Sequence, residues 1–401
     1  MRDNYFILGS RAAVIGLQLV NIKLMTAYLS TEDIGLYFFL ISASYFSNAL
    51  LFVPVDYYQQ AFISSAKERI DAIKRALLFN FRILKLYVIP VVLIGLSLLI
   101  SDYGEFIALF GLGALGSVAL HGVQSMRNLL NNFGYSSTVS ISQVLEACSR
   151  VGIFLIGCLL DFASLNMIAI AWASSLGLTF IHLVFKGIQG GLFKGQSKEQ
   201  VALKDFLKFA TPISFSAVTS WLQVQGYRVA LVPLGYAEAV GIFSTISNIG
   251  SSAIGAVNLI YQQKFNPKIY QSQGGYTLQY LKYASLLILI TVVTFVLVGQ
   301  PIVRLLTTPE FHQYWDVILY GVAADSANLI IGALTIHLTL KKTTNAILLF
   351  STIGFLINAV IYIVLHFTEA ITINSIGIPI LISQWAVAGL LFYQFKTKLN
   401  L

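Results

Sequence analysis

Charge is what this 401-residue chain most conspicuously lacks: Asp, Glu, Lys and Arg make up only 10% of it, against roughly 25% in a soluble domain. Cysteine is nearly absent as well, with two residues, Cys148 and Cys158. They lie on one expected helix about 15 Å apart along its axis, too far to bridge, and are read as two buried free thiols. There is no Gly-rich loop ending in Gly-Lys-Ser or Gly-Lys-Thr, which argues against ATP hydrolysis by this chain. No clustered His, Cys or carboxylate pattern points to a metal, and no cofactor is expected. The net charge of +8 is not gathered into a basic, aromatic-interleaved soluble patch, so nucleic-acid binding is not expected either.

Apolar sequence fills the space that charge leaves. Hydrophobic residues are 57% of the chain and mean hydropathy is +0.79, the composition of an integral membrane protein. A helix needs about 20 apolar residues to cross the hydrocarbon core. Twelve stretches qualify, near 5–28, 34–58, 83–101, 105–126, 139–160, 166–185, 206–233, 239–261, 283–299, 314–337, 346–367 and 376–395. The first is interrupted by Arg11 and Lys23 and has no small-residue cleavage site after it, so it reads as a retained span.

The chain also repeats itself. Tyr58, Gln59, Gln60, Ala61, Phe62 returns as Tyr261, Gln262, Gln263, Lys264, Phe265. Upstream of these, the stretch from Leu29 to Tyr37 with Glu32 and Gly35 is echoed by Gly235 to Phe243 with Glu238 and Gly241. The two halves share direction as well as content, the signature of a parallel repeat with a path between its halves. The expected architecture is an all-α polytopic membrane protein: an N-terminal six-helix lobe at 1–185, a cytoplasmic linker at 186–205 and a C-terminal six-helix lobe at 206–401. Lys and Arg alternate with acidic loops through the chain, and by the positive-inside tendency both termini are cytoplasmic. Arg127 falls in one of these cytoplasmic segments. The basic stretch Ala66–Lys85 reads either as an inner-leaflet amphipathic helix or as an extension of the third span.

Charges inside spans are costly and mark candidate sites. Arg11, Lys23, Arg150 and Arg228 are the candidate cations for an anionic headgroup. Asp56, Glu146 and Asp325 are candidates for ion coupling or charge pairing. Arg150 lies one helical turn from Glu146, which suits either an internal ion pair or a paired arginine whose spare donors hold phosphate. Lys23 and Arg228 suit snorkelling as well as headgroup contact. Asp56 follows Pro54, which either opens the helix to a cavity or ends it. The small polar neighbours of Asp325 suit an ion site or close helix packing. His121, His182 and His337 are scattered; His121 could join a proton path.

Twelve helices in two lobes, the Leu29–Tyr37 motif with its second-half counterpart, and Pro301 to Leu306 followed by Glu310 and Phe311 together resemble one family. It is the polysaccharide transporter branch of the multidrug, oligosaccharidyl-lipid and polysaccharide exporter (MOP) superfamily, and within it the Wzx-type O-antigen flippases. The resemblance implies a MATE-like fold and no enzymatic activity. It also implies alternating-access transfer of an undecaprenyl-pyrophosphate-linked oligosaccharide from the cytoplasmic to the periplasmic leaflet of a bacterial inner membrane. It further implies coupling to sodium or protons and polysaccharide polymerase and ligase proteins as partners. The alternative is an ion-driven multidrug exporter of the same superfamily.

Overall fold

In the computed structural model, residues 2–56, 83–85, 87–89, 91–93, 96, 107–192, 203–341 and 343–398 are described. They are helical almost throughout, with no strand among them. The helices are α1 (Arg2–Tyr28), α2 (Thr31–Ser47), α3 (Ile107–Asn132), α4 (Ser136–Leu159), α5 (Leu165–Gln189), α6 (Leu203–Leu231), α7 (Ala237–Gln271), α8 (Thr277–Leu306), α9 (Pro309–His312), α10 (Ile318–Leu340), α11 (Thr344–Phe367) and α12 (Gly377–Lys398). Eleven of the twelve expected spans coincide with one of these; α9 is a short turn between spans. The described part of the third span, within Ile83–Leu93, is also helical. Three expectations lie outside the described residues: the first echo Tyr58–Phe62, most of the basic Ala66–Lys85 stretch, and the centre of the 186–205 linker.

Among the described residues, eight helices are long and apolar enough to cross a membrane. The chain is a membrane-embedded multi-pass protein. Its outward-facing apolar residues include Leu289, Leu297, Val360 and Ile363, all more than half exposed, which is the pattern expected of side chains against lipid. The chain forms two compact units. One comprises Met1–Asn21 with Phe39–Val218, the other Ile22–Phe38 with Thr219–Leu401.

Local sequence explains the helix ends and irregularities. Ser30 caps α2, its Oγ accepting from the Asp33 amide at 3.1 Å, and Glu32 and Asp33 stand at the positive helix start. Ser164 caps α5 in the same way through the Met167 amide at 3.2 Å. At its far end α2 widens into a π-turn over Asn48–Phe52 and then runs on through Asp56. Pro54 causes this, because its ring crowds the carbonyl four residues earlier and it offers no N–H; a wider turn relieves both problems. Pro54 therefore neither ends nor breaks the span before Asp56.

Two expectations are corrected. The helix α3 does not stop near residue 126 but continues to Asn132, so Arg127 is part of a helix and not of a loop. The helices turn at Phe133–Tyr135, where Gly134 has φ +83°, a conformation a side chain would strain. Cys158 is buried and Cys148 exposed, and both are free; the expectation of two buried thiols holds for one of them.

Candidate functional site

The α3–α4 hairpin gathers the polar chemistry of the first unit. On α3, Gln124, Arg127, Asn128 and Asn131 recur at helical spacing and form one stripe. On α4, Val139, Gln143, Glu146 and Arg150 form another. Glu146 joins the two: Oε2 meets Arg127 Nη2 at 2.9 Å and Oε1 meets Arg150 Nη2 at 2.7 Å. These side chains are only 17–22% exposed, so water screens the triad weakly. Arg127 also donates through Nε to Ser142 Oγ at 3.0 Å.

The i,i+4 pairing of Glu146 and Arg150 is thus present, with a third member that the span boundaries had hidden. Arg11, half-buried on α1, is in electrostatic reach of Arg127, and its Nε is buried with no hydrogen-bond partner among the described residues. Among the described residues this cluster sets three arginines against one carboxylate, Glu146, with Asp56 in the wall of the adjoining cavity.

A cavity of about 460 Å³ opens beside the cluster. Asp56, Gln124, Arg127, Asn128, Asn131 and Gln143 supply its polar lining. Asp56 sits in its wall, 7% exposed, accepting a hydrogen bond from Ser125 Oγ. The ring of His121 lies 3.9 Å from the same carboxylate and stacks on Phe52, centroids 4.2 Å apart. The opposite face of α3 borders a second cavity of about 650 Å³, lined mostly by apolar residues such as Leu112, Leu115, Val118, Met126 and Phe180, with His121 and Ser125 at its wall. The Asp56–Ser125–His121 group therefore stands between a polar and an apolar cavity.

The remaining candidates belong to the second unit, where each is engaged by its own surroundings. Lys23 is exposed and Nζ donates to the Thr307 carbonyl at 2.9 Å, just past the end of α8, where a cation offsets the helix dipole. Thr308 Oγ1 reaches back to the Thr26 carbonyl at 3.1 Å, so Lys23 is part of a helix-end clasp. Arg228 is 6% exposed. Its Nε bonds Tyr227 Oη at 2.8 Å and Ser244 Oγ at 3.0 Å, and its guanidinium lies 4.8 Å from the centre of the Phe38 ring. Snorkelling does not describe it.

Asp325 on α10 accepts from Asn328 Nδ2 at 3.1 Å, and its backbone carbonyl accepts from Asn258 of α7 at 3.1 Å. Gly321 and Gly250 permit the close α7–α10 crossing there: a Cβ on either would collide with Ser247 or Ile318 backbone. His337 binds Thr277 and Gly274, an architectural role. No group of three or more His, Cys, Asp or Glu residues suited to a metal occurs among the described residues.

No protein-family model matches the sequence, and no characterised sequence does. Solved structures do match. An inward-facing multidrug resistance MATE family transporter of the MOP superfamily superposes over 98% of both chains with a TM-score of 0.65 at 15% identity. The fold is MATE-like. A MATE transporter of Vibrio cholerae matches over 98% of this chain and 95% of its own, with TM-score 0.55 and 13% identity. A MOP superfamily transporter from Pyrococcus furiosus, described as having a binding pocket of reverse polarity, matches over 98% and 96%, with TM-score 0.55 and 11% identity. At such identities the likeness speaks to the fold of these transporters and not to the cargo.

Proposed function

We propose that this protein is a flippase for an undecaprenyl-pyrophosphate-linked oligosaccharide, carrying it from the cytoplasmic to the periplasmic leaflet of a bacterial inner membrane with both termini in the cytoplasm. The observation that carries this reading is the arginine excess of the α3–α4 cluster among the described residues: Arg127 and Arg150 on the carboxylate of Glu146, with Arg11 in electrostatic reach of Arg127. Burying such charge is costly unless a counter-charge arrives. A pyrophosphate supplies it, and guanidinium groups already holding a carboxylate by one edge keep further donors for phosphate oxygens. A lipid-soluble cation would meet repulsion at the same cluster.

In this reading Arg11, Arg127 and Arg150 receive the headgroup while the polyprenyl tail stays in the bilayer. The lobes at 1–185 and 206–401 then expose the site to alternate sides. Sodium or a proton acting at Asp56 with His121, or at Asp325, biases the cycle. Lys23 and Arg228 hold their helices in place. Polymerase and ligase proteins that consume the oligosaccharide are the natural partners.

A second reading has one observation in its favour. The apolar cavity beside Asp56 suits a lipophilic cation, and with it a multidrug exporter. The two separate in a binding experiment. Purified protein in nanodiscs is titrated with undecaprenyl pyrophosphate, with undecaprenol, and with a lipophilic cationic dye. The flippase binds the pyrophosphate at least tenfold more tightly than the alcohol, and Arg11→Ala removes the difference. Equal binding of the two lipids with tight binding of the dye, lost in Asp56→Asn, would favour the exporter.

A further inference from the structure

We propose that the polar cavity among α2, α3 and α4 is a carbohydrate subsite, reading sugar hydroxyls through Gln124, Asn128, Asn131 and Gln143; this rests on the flippase reading above and names where the oligosaccharide is recognised. Four carboxamides line one cavity of about 460 Å³, within the usual size of ligand pockets. Each carboxamide pairs a fixed acceptor with two donors, the complement of adjacent hydroxyls. An ion makes poor use of such a lining, and so does an apolar chain.

The charged groups at the cavity already have protein partners, and Arg127 belongs to the headgroup site. Arg127 is held by Glu146 and Ser142, and Asp56 by Ser125. What remains is neutral hydrogen-bonding capacity. Gln143 Oε1 is buried and accepts no bond among the described residues. Asn48, at the π-turn, donates to Gln124 Oε1 at 3.1 Å, while its own Oδ1 is buried without a partner among the described residues. Inside a membrane protein unfilled acceptors are expensive, and turning the Gln143 carboxamide toward the cavity it lines would offer its acceptor to a hydroxyl.

The second unit shows what carboxamides do when they serve the fold alone. There Gln384 donates to Gln223 Oε1 at 3.0 Å, Gln223 to the Ser351 carbonyl at 2.6 Å, and Asn358 to the Gln223 carbonyl at 3.2 Å. That network is packed and closed on itself. The carboxamides of the first unit instead surround open space that Arg127, one of the arginines proposed to hold the phosphate, also lines. A sugar attached directly to the pyrophosphate would fall within reach of them.

The experiment compares two lipids on the full-length protein in nanodiscs: bare undecaprenyl pyrophosphate, and the same lipid carrying the host's surface oligosaccharide. Wild-type protein binds the glycosylated lipid at least tenfold more tightly. Gln143→Leu loses that preference and keeps its affinity for the bare lipid. Asn128→Leu, a second position in the lining, does the same and covers a folding defect at Gln143. Equal binding of the two lipids by wild-type protein overturns the subsite, as does a preference that survives both leucine variants. Binding of neither lipid overturns the flippase reading itself, a distinct failure.

Discussion

Gly35 and Gly241 hold equivalent places in the two copies of the repeated motif, and each lies against the backbone of the other copy. A Cβ on Gly35 would collide with the carbonyl of Ala237, and one on Gly241 with the carbonyl of Thr31. Gly35 stands four residues after Thr31 in the first copy, as Gly241 does after Ala237 in the second. The contact is therefore reciprocal, as in a two-fold interface. Sequence repetition here is a packing device: the start of α2 and the start of α7 approach so closely that only glycine fits.

Replacing either glycine by alanine overpacks this crossing, and each variant should lose about 1–3 kcal/mol of stability. Gly16→Ala, on α1 with open space around it, should instead gain about 0.5–1 kcal/mol from helix propensity. Thermal unfolding of the detergent-solubilised variants measures both. A Gly35→Ala protein that melts with the wild type would remove the crossing from the account.

Glu146 is the only carboxylate in contact with both Arg127 and Arg150 among the described residues. Glu146→Gln leaves like charges facing each other and should destabilise the protein by about 3 kcal/mol. Replacing Arg127 and Glu146 together by leucine should cost less than the sum of the two single changes, because Glu146→Leu alone leaves Arg127 and Arg150 facing each other whereas the double change leaves only Arg150. Additivity in that double-mutant cycle would contradict the triad.

Lys23 and Arg11 both lie on α1, yet their variants should behave differently. Lys23→Met loses one helix-end contact, costs less than about 1 kcal/mol, and should leave transport intact. Arg11→Ala should fold and fail to transport, with partial recovery in Arg11→Lys, since a point charge still attracts phosphate. The comparison is read from surface polymer in cells that carry each variant at equal membrane abundance. Loss of polymer with Lys23→Met would return that residue to the site.

Arg228→Lys should destabilise by about 2 kcal/mol, because an ammonium cannot reproduce charged hydrogen bonds from Nε to Tyr227 and Ser244. Its transport per folded molecule should be unchanged. A normal melting temperature with lost transport would reverse that assignment.

The fold was largely legible in the sequence because apolar runs of membrane length leave little freedom: α4, α5, α11 and α12 fall where their runs do. The i,i+4 spacing announced the Glu146–Arg150 pair. Arg127 was hidden because the apolar run of α3 ends near Met126 and the polar residues beyond resemble a loop. Their helical spacing, Gln124, Arg127, Asn128 and Asn131, was the signal available. The partner of Lys23 was illegible for a different reason. That partner, the Thr307 carbonyl, is 284 residues away, and no local pattern reveals a contact made through tertiary packing. The π-turn before Asp56 was half legible: Pro54 marks a disturbance in α2, but whether it breaks or widens the helix depends on packing.

The most direct test of the account is the leaflet distribution of lipid-linked oligosaccharide in a host strain lacking this protein, measured by mass spectrometry of extracted polyprenyl lipids with and without treatment of intact spheroplasts with a membrane-impermeant glycosidase. The account predicts accumulation of an undecaprenyl-pyrophosphate oligosaccharide protected on the cytoplasmic side, relieved by the wild-type gene and not by Arg11→Ala. An unchanged lipid pool with normal surface polymer would contradict it.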